Sequence, residues 1–346
     1  MTQWKKTDDS LVRLADGSVR TMQEARALYP DFDLTRSWAL PDIDPLPDED
    51  LGTYLRRIGF SEAQLDYARR SFANATGESL RYISAQGAVA EMRDPSCGRG
   101  DFRILDGYDS LAYTQAAGLD IRLGHIVQRI MWGDQNVRVV TNHGIFTADR
   151  VVITLPLGVL QSGAVEFDPP LPADKQAALA HIRMGPGIKL VYRFAEPVMA
   201  AEIMAYYSPL NPPMWWSPSA GQSESPYLVW TALATGDYCR DLLKDGEAAA
   251  LQMGLETLRK ELNRPDLTPV DSYLVNWVAD PYARGVYSVV TPGHSEARLE
   301  LATPVDNRLF WAGEATAPHG YAATVHGAYA SGKRVAQEII SLMESR

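Results

Sequence analysis

Apolar residues follow two different periods along this chain, and the period changes near residue 100. Within residues 47–72 they recur at helical spacing, and Ser61 with Gln64 forms a capping box that opens the second of two helices. The residues that we expect to point inward from these helices are Leu51, Tyr54, Leu55, Ile58, Leu65, Ala68 and Phe72. Residues 1–100 are therefore predicted to be mostly helical.

From residue 105 the pattern is typical of strands. Alternating apolar residues predict strands at 121–123, 126–131, 137–141 and 145–147. The Asn-His-Gly sequence at 142–144 predicts a hairpin turn, because glycine accommodates a positive φ. Residues 151–155 form a continuous apolar run, which predicts a strand covered on both faces, and Pro156 ends it.

Helices and strands then alternate without an internal repeat or a low-complexity linker. The pattern predicts helices at 172–182 and 246–263 and a strand at 188–194. Residues 205–232 are rich in proline, tryptophan and tyrosine, which indicates strands joined by tight turns. We expect a mixed α/β fold whose two domains interleave rather than follow in series.

The most informative part of the chain lies between residues 308 and 336. It begins with a buried strand at 309–311, followed by Ala312, Gly313 and the acid Glu314. A helix from about Thr324 then carries small residues three and four apart, which form one smooth face at Gly327, Ala328, Ser331, Gly332 and Ala336. The last strand and helix of any α/β domain could show this pattern. Glu314 favours a ligand site, because α/β sheets bind ligands at the carboxyl ends of their strands.

Five segments of the chain resemble the flavin-containing amine oxidases, the family of polyamine oxidases, monoamine oxidases and histone lysine demethylases. They occur in the family's order, and the polyamine oxidase and demethylase branch is the most similar. The segments are residues 154–160, 167–172, 184–194, 277–288 and 308–336. The resemblance implies an incomplete FAD-binding Rossmann-like domain interleaved with a substrate domain of antiparallel sheet plus helices. The FAD is expected to be non-covalent, because Val286 stands where some members carry a flavin-linked cysteine.

The resemblance also implies three catalytic positions. Lys189 corresponds to the lysine that holds a water against flavin N5, a water linked to the reaction with O2. From the alternation alone, Lys189 could equally be on the solvent face of its strand. Tyr287 corresponds to one wall of an aromatic sandwich that aligns the substrate amine, and Thr324 occupies the position of the opposite wall.

Cofactor contacts follow from the same resemblance. Trp277 corresponds to an aromatic residue that packs on the isoalloxazine ring, and Glu314, beside Gly313, to an acceptor for ribityl hydroxyls. The backbone N–H groups of Thr324 and Val325 are expected near the flavin pyrimidine. The resemblance further implies that the backbone of Val127 meets the adenine, although many strand valines would fit this position. For each aromatic residue taken alone, packing in the core is the simpler interpretation.

One departure from the family concerns the opening Gly-x-Gly-x-x-Gly turn, whose N–H groups hold the FAD pyrophosphate. The nearest glycine clusters, at 97–100 and 185–187, neither follow an apolar strand nor open an amphipathic helix. We therefore expect a small second polypeptide to carry this unit, with the chain as the large component of a split oxidase. A non-catalytic binding relative and a truncated reading frame are the alternatives.

The expected domains are a helical cap of the substrate cavity (1–100), an FAD-binding domain lacking its first βαβ unit (101–160 and 276–346) and a substrate domain (161–275). The implied reaction is the oxidation of an amine C–N bond, with hydride transfer to FAD, hydrolysis of the imine and release of H2O2 from O2. Polyamines, monoamines and amino acids all remain possible substrates.

Composition narrows the remaining possibilities. A net charge of −10 without a basic tract argues against nucleic acid as a partner. No apolar run is long enough for a membrane span, and the N-terminus lacks the apolar core of a secretory signal. Two cysteines give no disulfide framework, so a cytoplasmic location is the default. The six histidines lack metal-ligand spacing, and no metal site is expected.

Overall fold

The computed structural model describes residues 3–5, 10–14, 17–28, 47–93, 102–104, 106–199, 203–218 and 228–345. The strands in these ranges are β1 (Gln3–Lys5), β2 (Ser10–Arg13), β3 (Val19–Thr21), β4 (Phe102–Ile104), β5 (Val127–Met131), β6 (Val137–Thr141), β7 (Gly144–Ala148), β8 (Val151–Ile153), β9 (Glu166–Asp168), β10 (Ile182–Met184), β11 (Gly187–Arg193), β12 (Ala205–Tyr207), β13 (Met214–Trp216), β14 (Val229–Thr235), β15 (Asp271–Asn276), β16 (Ser288–Val290) and β17 (Leu309–Trp311).

The helices in the same ranges are α1 (Met22–Leu28), α2 (Leu51–Arg57), α3 (Glu62–Ala68), α4 (Asn74–Thr76), α5 (Ala85–Arg93), α6 (Asp109–Ala116), α7 (Leu157–Gln161), α8 (Ala173–Ala180), α9 (Gly236–Leu243), α10 (Glu247–Leu262), α11 (Ala297–Ala302) and α12 (Val325–Glu344). A π-helical turn (Arg69–Ala73) joins α3 to α4, and 3₁₀ turns occupy Leu80–Tyr82 and Glu314–Thr316.

The largest sheet has seven strands in the order β15-β11-β14-β13-β12-β2-β3. All neighbours are antiparallel except β2 and β12. Buried side chains of β11, β13 and β14 form one core with α9 and α10, including Ile188, Leu190, Trp215, Trp230, Leu242 and Leu258. This arrangement confirms the expected α/β class with an antiparallel sheet.

A short parallel pair, β8 and β17, aligns Leu309 with Val151. Both strands contribute to a second core that also contains Ile130 and Val137 from the sheet β7-β6-β5-β9. The predicted hairpin is present, with Thr141 of β6 opposite Gly144 of β7.

Two predictions in this region were wrong. Residues 151–155 were expected to be covered on both faces, but β8 ends at Ile153 and Val152 is 43% exposed. Successive side chains of a strand point to opposite faces, and the face that carries Val152 has no covering layer among the described residues. Residues 121–123 form no strand in the structure, because they pair with none of the described strands.

The region expected to be helical divides into two parts. Strands β2 and β3 join the seven-stranded sheet, whereas α2 to α5 form a separate helical core that includes Leu51, Tyr54, Leu55, Leu65, Ala68 and Phe72. Local pattern missed these strands because the partner that joins β2 to the sheet, β12, is distant in sequence, and β3 pairs with β2 alone. The capping box is present, with Gln64 N–H donating to Ser61 Oγ and Ser61 N–H to Gln64 Oε1.

Asn74 connects this helical core to the sheet. Its side-chain amide donates to the Leu233 carbonyl over 3.2 Å, and its Oδ1 accepts from Thr235 N–H over 2.8 Å. The Thr235 hydroxyl donates to the Asn74 carbonyl over 2.7 Å. These bonds satisfy buried polar groups and fix the helices against β14.

Candidate functional site

A cavity of about 350 Å³ lies at the carboxyl ends of β8 and β17. Its walls are largely apolar, with a few polar groups, and its volume is in the range of small-molecule sites. Its lining includes Leu155, Leu157, Trp277, Val286, Gly313, Glu314 and Ala328. The cavity therefore brings together three residues that the sequence predicted as cofactor contacts, namely Trp277, Gly313 and Glu314.

Gly313 turns the chain away from β17 with a φ of +126°, a conformation that strongly favours glycine. A Cβ atom built at this position would meet nothing within 4 Å, so the backbone is bare. Its N–H donates to Ser331 Oγ of α12 over 2.8 Å. Of the predicted small-residue face, Gly327 and Ser331 are buried and Ala328 is half-buried, so this part of α12 packs close to the end of β17. Gly332 and Ala336 are exposed, so the prediction of one continuous packed face was wrong for these two residues.

Gly327 shows how close this packing is. A Cβ atom there would lie 1.9 Å from the Tyr321 carbonyl oxygen, which leaves no room for any other residue. Ala328, next in sequence, lines the cavity. The small residues of α12 therefore let its first turn approach both the preceding loop and the cavity.

The Glu314 carboxylate is held by Ser288. Ser288 donates its hydroxyl to Glu314 Oε2 over 2.8 Å, and its N–H approaches the same oxygen at 3.3 Å. The guanidinium of Arg298 lies 3.9 Å from this oxygen. Sequence reasoning did not identify Ser288 or Arg298, although Ser288 directly follows the predicted site residue Tyr287.

Lys189 lies beside two tryptophans. Its Nζ is 5.3 Å from the centre of the Trp277 ring and 5.4 Å from that of Trp216. Burial lowers the pKa of this lysine. Lys189 therefore does not extend into solvent, as a lysine on the outer face of the sheet would.

Trp216 was not predicted as a site residue. Lys189 pairs with Leu233, and Leu233 pairs with Met214, so the three side chains share one face of the sheet. Trp216 lies two residues beyond Met214 and points to that same face. The Met-Trp-Trp sequence on a predicted strand was the available signal, but only the strand register shows which tryptophan faces Lys189.

Tyr287 does not line this cavity. Its hydroxyl donates to the Ala75 carbonyl over 2.7 Å, and its ring packs against Gly77. Burial, with a smaller effect of the nearby Glu314, raises the pKa of Tyr287 to about 12. Tyr287 is therefore a neutral hydrogen-bond donor at physiological pH.

Thr324 caps the N-terminus of α12. Its hydroxyl accepts from Gly327 N–H over 3.0 Å and donates to the Tyr321 carbonyl over 2.6 Å. Val325, the first residue of α12, is 53% exposed. Neither residue lines the described cavity, although Ala328, one turn further along, does.

Val127 is the first residue of β5 and pairs with Thr141. It is partly buried against the core that contains Ile153 and Trp311. It lies outside the cavity lining, and its predicted contact with adenine remains a prediction.

The residues of the cavity fit the ring and ribityl part of a flavin. Apolar side chains and Trp277 offer flat surfaces, Gly313 leaves its backbone bare, and Glu314 supplies an acceptor. Among the described residues, no group of three or more histidine, cysteine or acidic side chains is arranged to hold a metal ion. None of the helices in the described ranges is long and apolar enough to cross a membrane.

Residues 8–340 match the sequence profile of the family described as flavin containing amine oxidoreductase. The chain belongs to this family. The prediction of FAD as the cofactor is thereby confirmed at the level of the family, and so is the resemblance of the five segments.

Similar curated members of the family include Polyamine oxidase 2 of Arabidopsis thaliana, 35% identical over 240 residues, which are 68% of this chain and 48% of that protein. Lysine-specific histone demethylase 1 homolog 2 of the same plant is 34% identical over 284 residues, 79% of this chain and 37% of the relative. The chain spans between a third and a half of the length of these relatives.

Solved amine oxidase structures share the fold. A putrescine oxidase bound to putrescine superposes with a TM-score of 0.77 at 17% identity, covering 98% of this chain and 83% of that one. Cyclohexylamine oxidase from Brevibacterium oxydans gives a TM-score of 0.74 at 16% identity, with 99% of this chain and 82% of the other covered.

Proposed function

We propose that this chain provides the substrate site and the flavin-ring site of an FAD-dependent amine oxidase. The observation that carries the proposal is the position of the Lys189 ammonium beside Trp277, whose side chain lines the same cavity as Gly313 and Glu314. Bound FAD would supply the oxidation, in which a hydride leaves the carbon next to the amine nitrogen and O2 is the final electron acceptor, giving H2O2 and an imine that water hydrolyses.

The chain's own residues would then have separate tasks. Trp277 and the apolar wall exclude water and orient the ring, and the Glu314 carboxylate accepts hydrogen bonds from ribityl hydroxyls. Lys189, half-buried and with a lowered pKa, would hold a water and exchange a proton with it.

Tyr287 and Thr324 remain proposed walls of the substrate site. In the structure both hydroxyls are engaged with backbone groups, Tyr287 with Ala75 and Thr324 with Tyr321 and Gly327. Tyr287 would therefore contribute its aromatic face and Thr324 the shape of the site, and neither would transfer a proton.

We also propose that a small second polypeptide carries the dinucleotide-binding unit. Support comes from an apolar stripe on α12, whose exposed side chains lie within about 60° of one another around the helix axis. They are Val325, Tyr329, Ile340 and Met343. Helix α6 has no buried residue, and Leu119, Ile121 and Leu123 beside it are exposed. Exposed apolar side chains grouped in this way favour contact with a protein partner.

β17 does not contribute to this exposed surface. Leu309, Phe310 and Trp311 are buried, in agreement with the buried strand predicted at 309–311. Phe310 packs against Val335 of α12, and the Lys175 ammonium lies over the Trp311 ring. The support for a second polypeptide therefore rests on α12 and α6.

An absorbance spectrum of the purified chain tests the proposal, recorded with and without added FAD. The chain is measured alone and after co-expression with the products of neighbouring genes, followed by a peroxide screen over polyamines, monoamines and amino acids. We expect flavin absorbance bands and peroxide from one amine class, and loss of both in Trp277→Ala. Tyr273→Ala, on the exposed end of β15, is the matched control.

If no combination yields a flavin spectrum or peroxide, the chain is a non-catalytic binding relative. A flavin spectrum with the chain alone would refute the requirement for a second polypeptide while leaving the oxidase proposal intact.

A further inference from the structure

Arg298 is a buried cation next to the candidate cofactor cavity. It lies on α11, is 4% exposed, and donates from Nη2 to the Ser288 carbonyl over 2.6 Å and from Nη1 to Ser288 Oγ. Its Nε is buried and has no hydrogen-bond partner among the described residues. Burying a guanidinium costs free energy unless acidic groups compensate its charge, so the acids near Arg298 indicate its role.

The first acid is Glu314, reached through Ser288. The Ser288 hydroxyl accepts from Arg298 and donates its single hydrogen to Glu314 Oε2. This fixes the direction of the chain of hydrogen bonds, from the cation through the hydroxyl to the carboxylate. With the guanidinium 3.9 Å away, Glu314 is oriented by a charge as well as by a hydroxyl.

The second acid is Glu91 at the end of the helical core. Its Oε1 lies 4.0 Å from Arg298 Nε, and its Oε2 accepts from Gly320 N–H over 2.7 Å and from Ala322 N–H at 3.3 Å. Ala323, next along the chain, has a φ of +58°, which a non-glycine residue adopts only where its surroundings hold it. This loop leads directly to the N-terminus of α12.

We propose that Arg298 is a positioning residue that couples Glu314, in the lining of the cofactor cavity, to the loop that precedes α12. Through Ser288 it orients the Glu314 carboxylate, and through Glu91 it holds the loop that places the first turn of α12. This inference rests on the proposed function, because it assigns the coupled groups to FAD. A single guanidinium between the two carboxylates therefore positions both Glu314 and the loop that Glu91 holds.

FAD titrations followed by flavin fluorescence test the coupling, using the chain with whichever partner supports binding. We expect Arg298→Gln to raise the Kd for FAD by about tenfold or more, because charge-assisted hydrogen bonds are lost. Arg298→Lys keeps the charge but not the paired geometry and should restore part of the affinity. Arg138→Gln, an exposed arginine of β6 paired with Asp134, should leave the Kd unchanged.

A double-mutant cycle separates coupling from general destabilisation. If Arg298 acts through Glu91, Arg298→Gln combined with Glu91→Gln should raise the Kd by less than the product of the single effects. Multiplicative effects, or a wild-type Kd in Arg298→Gln, would overturn the proposal. Arg298→Lys and Glu91→Gln still decide it if Arg298→Gln does not fold.

Hydrogen exchange on the chain without flavin gives a second readout. We expect the Gly320 and Ala322 amides to exchange about tenfold faster in Arg298→Gln than in the wild type, and at the wild-type rate in Arg138→Gln. Unchanged exchange in Arg298→Gln would refute the coupling. A wild-type protein that binds no FAD would refute the proposed function, and this measurement would still test the link between Arg298 and the loop.

Discussion

The Lys189 ammonium lies 5.3 Å from the centre of the Trp277 ring, so a half-buried cation and the ring expected against the flavin lie side by side. The strand register brings this about: Lys189 pairs with Val275 of β15, and Trp277 follows β15 directly. The pairing of the strands thus places the mid-strand Lys189 between two tryptophan rings rather than in solvent.

Replacing Lys189 by methionine should separate two half-reactions of the proposed oxidase. We expect anaerobic reduction of the flavin by substrate to be retained, whereas reoxidation by O2 slows on the order of a hundredfold, because the proton-exchanging group is lost. Stopped-flow absorbance measures both rates. Lys244→Met, on the exposed surface, is the control. Equal slowing of both half-reactions would contradict the assigned role.

The lowered pKa of Lys189 predicts how the free energy of unfolding depends on pH. Burial lowers its pKa below the ordinary value of 10.5, so the unfolded chain retains this proton at pH values where the folded chain has lost it. The free energy of unfolding should therefore rise with pH between the lowered pKa and 10.5. Urea unfolding across this interval should show the rise in the wild type and a smaller one in Lys189→Met. Identical pH profiles would argue against a perturbed lysine.

Glu314→Ala should weaken FAD binding by about tenfold or more, because the carboxylate is the acceptor that we assign to the ribityl hydroxyls. Glu314→Gln keeps one acceptor and should show an intermediate affinity. Isothermal titration with FAD checks the series, with Glu256→Gln on the exposed face of α10 as the control. Wild-type affinity in Glu314→Ala would remove Glu314 from the cofactor site.

Lys175 is predicted to support the folded state rather than the reaction. Its ammonium is buried and donates to the carbonyls of Glu300, Leu301 and Thr303 at the C-terminal end of α11, over 2.9, 2.9 and 2.6 Å. Lys175→Met would leave these acceptors without a donor, so we expect a loss of about 2–3 kcal/mol in the free energy of unfolding. Urea denaturation measures the loss, and Lys260→Met, on an exposed position of α10, should change it little.

Protonated His319 should stabilise the folded state at low pH. The Glu91 carboxylate, 3.9 Å from Nδ1, raises the pKa of His319 above the usual 6.5, and the charge of Glu296 adds to the effect, while burial and Arg298 oppose it. The contribution of His319 is therefore fully present below pH 6.5 and is lost as pH rises through the raised pKa. Unfolding midpoints between pH 5 and 8 should decline in the wild type more than in His319→Asn. A parallel decline in both proteins would exclude this histidine as the cause.

Much of the fold follows from short-range pattern. The capping box at Ser61, the hairpin at 142–144 and the long C-terminal helix were each predicted and are present. In each case the determining contacts lie within a few residues along the chain. The motifs of the family are likewise local, which is why the cofactor class could be predicted from them.

The sequence alone therefore determined the local elements, the family and its cofactor, because each depends on residues that are close along the chain. Tertiary structure decided that β2 pairs with β12, that Val152 is exposed, that Trp216 faces Lys189, and that Arg298 lies between Glu314 and Glu91. These relationships depend on strand register and on packing between distant segments, and no local propensity encodes which distant partner a side chain will meet.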